Sequence, residues 1–214
     1  MSVSIVTCVN DKDMYRRNFV EQAFAPKTQL IPIYDAESAA AGLNEGIERA
    51  TFDTVVCCHQ DVRFPAGWVD TLQRQTMEVD DINFGVLGTF GIDMQGGYAG
   101  NIKDPHNNPK LGELPCSAQT LDEHCLILRK SSGLRFDEEL GGWHMYGADI
   151  CLQAMIAGLK NYVIDAHLEH LSGGLIDKAF VEIGNAFCNK WRRLDCPLAT
   201  VVTTCGRFPI KASA

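Results

Sequence analysis

A short apolar run, Thr54–Cys58, leads directly into His59-Gln60-Asp61. A carboxylate at a strand end suits a hard divalent cation, which takes oxygen ligands, and a nearby imidazole shifts the preference from Mg2+ towards Mn2+. Asp61 has two readings: it holds the metal, or it caps a helix that starts near Pro65-Ala66. His59 is open between metal ligand, hydrogen-bond donor to a phosphate, and core histidine. Asn10-Asp11 and Asp35 also follow short apolar runs. Three polar clusters therefore stand at the ends of strand-like segments.

The elements that must position them alternate. Residues 3–9, 30–34 and 54–58 read as short buried strands. Residues 11–24, 38–50 and 68–79 read as helices, with Leu43, Ile47 and Ala50 on one face of the second. This βαβαβ rhythm predicts a parallel sheet with right-handed crossovers, whose ligands bind beyond the carboxyl ends of the strands. Thr7, Val9 and Asn10 end the first strand there, Asp35 the second, and His59-Gln60-Asp61 the third. Further on, residues 84–89 and 125–128 read as strands, and residues 91–115, dense in Gly, Asn and Pro, as a long loop. Residues 129–139 have turn character. A helix over 148–158 and a strand over 162–164 lead to Glu169-His170-Leu171-Ser172-Gly173-Gly174. Residues 175–194 carry Ile176, Phe180, Ile183, Phe187, Trp191 and Leu194 on one stripe, an amphipathic helix whose face could serve an interface; the oligomeric state is not legible. The organisation expected is one domain in three stretches, residues 1–83, residues 84–174, and a C-terminal helix and tail (175–214).

Bulk properties exclude several classes. With 214 residues, 46% hydrophobic and 21% charged, the chain can bury a core and is not disordered. A net charge of −8 and no basic run argue against nucleic acid as a partner. An anionic chain that binds a phosphate compound needs a cation to bridge the charges. Nine cysteines, several inside apolar runs, read as buried small hydrophobes rather than bridges, and no CxxC pair suggests zinc. The N-terminus has no leader-like pattern and no apolar run is long enough to span a bilayer. The expected location is cytoplasmic.

Residues 40–62, AAGLNEGIERATFDTVVCCHQDV, resemble the nucleotide-binding core of glycosyltransferase-like family 2 proteins: an Asn-x-Gly-Ile helix, a buried strand, then a metal-binding Asp-x-Asp. The His-Gln-Asp-Val form resembles a bacterial subgroup of that family. Residues 84–100 are similar to the subgroup's Gly-rich strand and loop. Phe136-Asp137-Glu138 and residues 149–158 resemble its acceptor-side motif and following helix, and Phe187-Cys188-Asn189-Lys190-Trp191 a Phe-x-x-Lys-Trp segment near the domain end. The resemblance implies an α/β GT-A-like domain, a mostly parallel twisted sheet flanked by helices. It implies a metal-dependent, inverting transfer of a sugar from a nucleoside-diphosphate donor to a hydroxyl of a glycan or other acceptor. Mn2+ or Mg2+ would sit on Asp61, with His59 and His170 as further ligands and the glycines after His170 letting backbone approach phosphate, although His170 equally suits a satisfied loop histidine.

Asp149 is the candidate general base, since an inverting transfer needs a carboxylate to accept the acceptor's proton; it equally suits a helix N-terminus. The family shows a Glu-Asp pair just upstream of such an aspartate, where this chain has Tyr146-Gly147. Thr7, Val9, Asn10, Asp35, Asn44 and Gln60 are assigned to the nucleotide, although Asn44 equally suits a turn. Trp143 and His144 could form an acceptor wall, or pack in the core. A catalytically degenerate domain that binds nucleotide or glycan without turnover is the rival reading. A nucleotidyltransferase would want a Gly-rich phosphate loop, which Asn10-Asp11-Lys12-Asp13 does not offer.

Overall fold

The computed structural model describes residues 1–79, 81–105, 109–174 and 176–211. Strand β1 (Val3–Val9) leads to α1 (Lys12–Tyr15), which continues as a π-helical turn over Arg16–Val20. Then come β2 (Thr28–Tyr34), α2 (Ala39–Arg49), β3 (Thr54–Cys58), β4 (Val62–Arg63) and α3 (Trp68–Glu78). Six strands follow: β5 (Val86–Gly88), β6 (Phe90–Asp93), β7 (Tyr98–Lys103), β8 (Lys110–Leu111), β9 (Cys116–Leu121) and β10 (Cys125–Arg129). The last third holds α4 (Tyr146–Ile156), β11 (Asn161–Val163), β12 (Leu168–His170), α5 (Lys178–Arg193) and a hairpin of β13 (Thr200–Thr203) and β14 (Gly206–Pro209).

The main sheet runs β2-β1-β3-β10-β5-β11-β9-β6-β7-β12-β4, with β8 added on β7. The first half pairs parallel, β1 between β2 and β3, as the βαβαβ rhythm predicts. Strand β1 is buried along almost its whole length because it has neighbours on both sides and helices on both faces. Strand β2 is an edge, which is why it tolerates Pro32. Beyond β3 the sheet turns mixed rather than mostly parallel: β10 enters antiparallel, with Cys125 opposite Cys58. Only β5–β11 and β7–β12 add parallel pairs among the described residues. Strands β9 and β10 are joined by a tight turn, and a short connection permits only antiparallel or separated neighbours.

Residues 91–115 correct the sequence reading. They carry most of β6, all of β7 and β8, and the cis Leu114–Pro115 bond that precedes β9. Their glycines serve close strand packing: a Cβ on Gly91 would meet the Thr120 carbonyl oxygen at 2.4 Å, and one on Gly100 that of Thr89 at 2.5 Å. Residues 106–108 of the expected loop, Leu175 at the start of the expected C-terminal helix and residues 212–214 of the tail lie outside the described residues. The C-terminal helix starts at Lys178, where Asp177 accepts a hydrogen bond from the Phe180 N–H at 2.9 Å. Phe187 and Trp191 are its buried face, whereas Ile176 and Leu194 stand out in solvent. The first helix ends by Val20, short of the expected residue 24.

Two apolar layers clothe the sheet. One joins α2 and α4 to it through Leu43, Ile47, Tyr146 and Ile150; the other packs Phe19, Phe64, Trp68 and Leu72 beneath it. The Trp68 indole N–H donates to the Ala166 carbonyl at 3.0 Å, locking α3 to the segment before β12. A third cluster seats α5 and the hairpin on α4. All nine cysteines are free and six are buried, as small hydrophobes would be.

Candidate functional site

His59 leaves the C-terminal end of β3, and its backbone N–H donates to the His124 carbonyl at 3.1 Å. Asp61 precedes β4, which pairs antiparallel with β12 so that Val62 stands opposite His170. The Leu171 N–H donates to the Asp61 carbonyl at 2.9 Å, closing the pair. This register brings His170, 109 residues on from Asp61 in the sequence, beside both residues of the first cluster.

The three side chains converge. His170 Nε2 lies 3.5 Å from Asp61 Oδ1 and 3.4 Å from His59 Nδ1, and His59 Nδ1 lies 3.9 Å from Asp61 Oδ1. Ligand bonds of about 2.1 Å place neighbouring donor atoms roughly 3.0–3.4 Å apart, so two nitrogens and an oxygen at these separations fit one cation after slight closure. The donor set also fits Mn2+ chemically, a mixture of imidazole and carboxylate. His59 Nε2 sits 2.8 Å from the Tyr146 hydroxyl, which in turn donates to the Glu123 carbonyl at 3.4 Å. A ring nitrogen held in this way leaves the other free to face a metal.

Charge follows the geometry. Burial and the neighbouring His170 lower His59 to about 4, so it is neutral at physiological pH. Burial would raise the Asp61 carboxyl, but hydrogen bonds from His170 and Ser172 and the His170 charge outweigh it and hold Asp61 well below the usual carboxylate range. Burial would depress His170, yet the hydrogen bond and charge of Asp61 carry it above the ordinary histidine value. In metal-free protein a raised histidine contributes stability fully below about pH 6.5, lost as pH rises through the folded value. Metal binding has the opposite sign, because the ring must be neutral to ligate. Mn2+ affinity is therefore expected to rise with pH through that value while the metal-free urea midpoint falls. A Mn2+ affinity that stays flat between about pH 5.5 and 8.5 would remove His170 from the ligand set.

A cavity of about 600 Å³ opens over this cluster, lined by Val9, Asn10, Tyr34, Asp35, His59, Gln60, Asp61, Trp143 and Ser172 among others. Gln60 ties its rim together: Oε1 accepts from the backbone N–H groups of Asn10 and Asp11 at 3.1 and 3.0 Å, and Nε2 donates to Asn10 Oδ1. Asp35 adopts the left-handed conformation (φ 56°) at the end of β2, which aspartate tolerates better than most residues. A second cavity of about 370 Å³ adjoins the first, sharing His59, Trp143 and Ser172 and adding His144, Asp122, Glu123 and His170. Trp143 stands between the two with half its surface exposed.

Three sequence assignments fall elsewhere. Thr7 is fully buried against the Cys58 thiol, 3.5 Å away, because the strand's alternation turns it into the core. Asn44 spends its amide on the Phe136 backbone, N–H and carbonyl both at 2.9 Å, and on Glu138 Oε1 at 2.8 Å. It fastens α2 to the segment before α4 and lines neither cavity. Asp149 is only 1% exposed; its oxygens accept from Lys190 Nζ at 2.6 and 2.8 Å, the Trp191 indole N–H at 2.8 Å and Gln153 Nε2 at 2.7 Å. So enclosed, the carboxylate lines neither cavity and ties α5 to α4. Asp149→Ala is expected to cost about 3 kcal/mol of stability by stranding buried partners, seen as a lower urea midpoint. Unchanged stability with selective loss of activity would restore it to the site.

Asp122, Glu123, His124 and Tyr146 were not anticipated. The three polar residues directly precede the apolar run of β10, a mirror of the three that follow β3. Because β10 is antiparallel to β3, its start lies at the same sheet edge. His124 is fully buried between Asp122 Oδ1 and Thr89 Oγ1, each at 2.7 Å, and its ring stacks on that of His170 at 5.5 Å. Burial would push the Asp122 carboxyl up, but His124 and the Thr204 hydroxyl hold it well below its usual range.

No family model matches the chain. A curated relative described as ATP synthase subunits region ORF 6, from Fuscovulum blasticum, is 28% identical over 89% of this chain and 83% of its own length. Among solved structures, GalNAc-T7 with UDP, GalNAc and Mn2+ superposes with a TM-score of 0.60, at 9% identity over 86% of this chain. S. aureus TarS 1-349 in complex with UDP superposes at 0.57, with 13% identity over 92% of this chain. The chain spans 46% of GalNAc-T7, 67% of that TarS fragment and 40% of a longer TarS chain. What these likenesses share with this chain is the curled α/β sheet with flanking helices: the fold is that of the GT-A glycosyltransferases.

Proposed function

We infer that the chain transfers a sugar from a nucleoside-diphosphate donor to a hydroxyl acceptor, with inversion, using a divalent cation at His59, Asp61 and His170. The observation that carries this reading is the convergence of those three side chains where the two cavities meet, His59 and Asp61 lining the larger and His170 the smaller. UDP and Mn2+ in the GalNAc-T7 structure, and UDP in that of TarS, support it. A bound cation supplies charge neutralisation for the departing diphosphate. Val9, Asn10, Asp35 and Gln60 receive the nucleoside, with Asp35 placed to accept a base N–H or a ribose hydroxyl. Tyr146 fixes the His59 ring, and Trp143 offers its face to a sugar between donor and acceptor. No helix among the described residues is long and apolar enough to cross a membrane. Nine free thiols accord with a reducing compartment, the cytoplasm.

The burial of Asp149 favours a second reading, a domain that binds a donor without turnover. Thermal-shift titration with UDP-, GDP- and dTDP-sugars, with and without Mn2+, tests the first step common to both. A ligand of the native state must raise apparent stability, so one nucleotide family should raise Tm only when Mn2+ is present. If none does, the donor site is wrong. Transfer to a hydroxyl then separates an enzyme from a binding domain.

A further inference from the structure

The upstream Glu-Asp pair expected of the resembling family is absent, and Tyr146-Gly147 stands in its place. Gly147 opens a question of space. A Cβ built there would lie 2.8 Å from Glu123 Cγ and 2.9 Å from the Leu121 carbonyl oxygen. Both the Glu123 side chain and the Leu121 backbone thus keep position 147 to glycine, and Glu123 packs directly against it. Glu123 reaches across from the turn before β10, and its Oε1 accepts the Gly147 N–H at 3.2 Å at the N-terminus of α4. It is half-buried and lines the smaller cavity, beside the wall formed by Trp143. Its backbone carbonyl is one hydroxyl removed from His59, through Tyr146.

We propose that Glu123 is the catalytic base of the transfer, a carboxylate delivered from the turn before β10 to the N-terminus of α4 at the smaller cavity, and that the acceptor it serves is an uncharged sugar hydroxyl. This rests on the donor-site reading above. In the step, the acceptor oxygen forms a bond to the anomeric carbon, the bond from that carbon to the diphosphate breaks with its electron pair, and the hydroxyl proton passes to Glu123. Burial and the neighbouring Asp122 push the Glu123 carboxyl up to about 8 against the backbone N–H groups that would lower it, so kcat on the glycoside should rise as pH approaches that value and the carboxylate form is populated. The acceptor class follows from the lining. Asp104, Asp122 and Glu123 face the smaller cavity, and no lysine or arginine does so among the described residues. Such a lining offers no lysine or arginine to pair with an anionic acceptor, whereas Trp143 and Tyr98 offer aromatic faces to a neutral sugar ring.

Azide supplies the test, since it attacks carbon without a proton to lose. With the UDP-sugar that gives the largest thermal shift, Mn2+ and either a methyl glycoside or sodium azide as acceptor, Glu123→Gln should lower kcat on the glycoside at least ~100-fold. Transfer to azide should not fall, since the substitution removes a carboxylate that opposes a small anion, and the Kd for UDP should stay within a few-fold of wild type. Glucuronides and sugar phosphates should be transferred to far more slowly than the methyl glycoside. Equal losses on both nucleophiles, or none on the glycoside, would overturn the role of Glu123 while leaving the donor site intact. Use of a glucuronide or sugar phosphate in preference to the methyl glycoside would overturn the acceptor class. A wild type that binds no nucleotide and transfers to neither nucleophile overturns both readings together.

Discussion

Replacing Asp61 by alanine is expected to weaken Mn2+ binding in the presence of UDP more than ~100-fold, because partners of a ligand alone are worth about 10–100-fold and Asp61 is the sole carboxylate of the set. The loss should be specific. Asp61 contributes one oxygen between two imidazoles, and its backbone carbonyl, which accepts from Leu171, is untouched by the substitution. The β4–β12 pairing that carries His170 therefore persists. Calorimetric titration of UDP with and without Mn2+ should show metal-dependent affinity in the wild type and none in the variant, with circular dichroism unchanged. His170 should also lose the partner that raises it and titrate lower. Undiminished metal-dependent binding would take Asp61 out of the metal's coordination and leave it as a structural residue of the β4 turn.

Gly46→Ala is the second large effect, and it acts on the fold. A Cβ at Gly46 would fall 2.0 Å from Val6 Cγ1 and within 3.0 Å of two further Val6 carbons. Val6 is fully buried in the central strand β1, with no room to turn away. Helix α2 must then lift off the sheet, and overpacking of this kind costs about 3 kcal/mol, outweighing the roughly 1 kcal/mol alanine gains over glycine in a helix. Val6→Ala in the same chain should return most of the loss, since the clash is with its methyl groups; two mutations that share one contact are non-additive. Urea denaturation of the two single variants and the double variant measures this. Additive losses would mean that α2 approaches β1 less closely. The larger cavity depends on the same approach, because Ala39 and Leu43 of α2 line it.

The first half of the fold was legible for a physical reason. Parallel strands buried on both faces read as unbroken apolar runs, and Val3–Val9 and Thr54–Cys58 do so in the open. The Asn44-x-Gly46-Ile47 helix announces itself by a small residue where a helix must press on a strand. The second half hides its strands because the residues that let them pack, Gly91 and Gly100, carry the composition of a loop. A strand that needs glycine for close approach cannot be told from a turn by composition alone. The same limit governed the site. His59, Gln60, Asp61 and His170 follow strands or end them, and ends of strands are where sequence reasoning looks. Asp122 and Glu123 come before a strand, at the same edge only because β10 runs antiparallel, and pairing direction is a property of the whole sheet. Asp149 misled for a related reason. An acidic residue in the first turn of a helix suits a base and a helix terminus equally, and only the arrival of Lys190 and Trp191 on α5 decides between them.

A crystal grown with UDP and Mn2+ tests the metal centre most directly. Anomalous scattering at the manganese edge is predicted to give one strong peak within bonding distance of His59 Nδ1, Asp61 Oδ1 and His170 Nε2, touching a diphosphate oxygen in the larger cavity. A peak elsewhere, or UDP bound with no manganese between those three side chains, would contradict it.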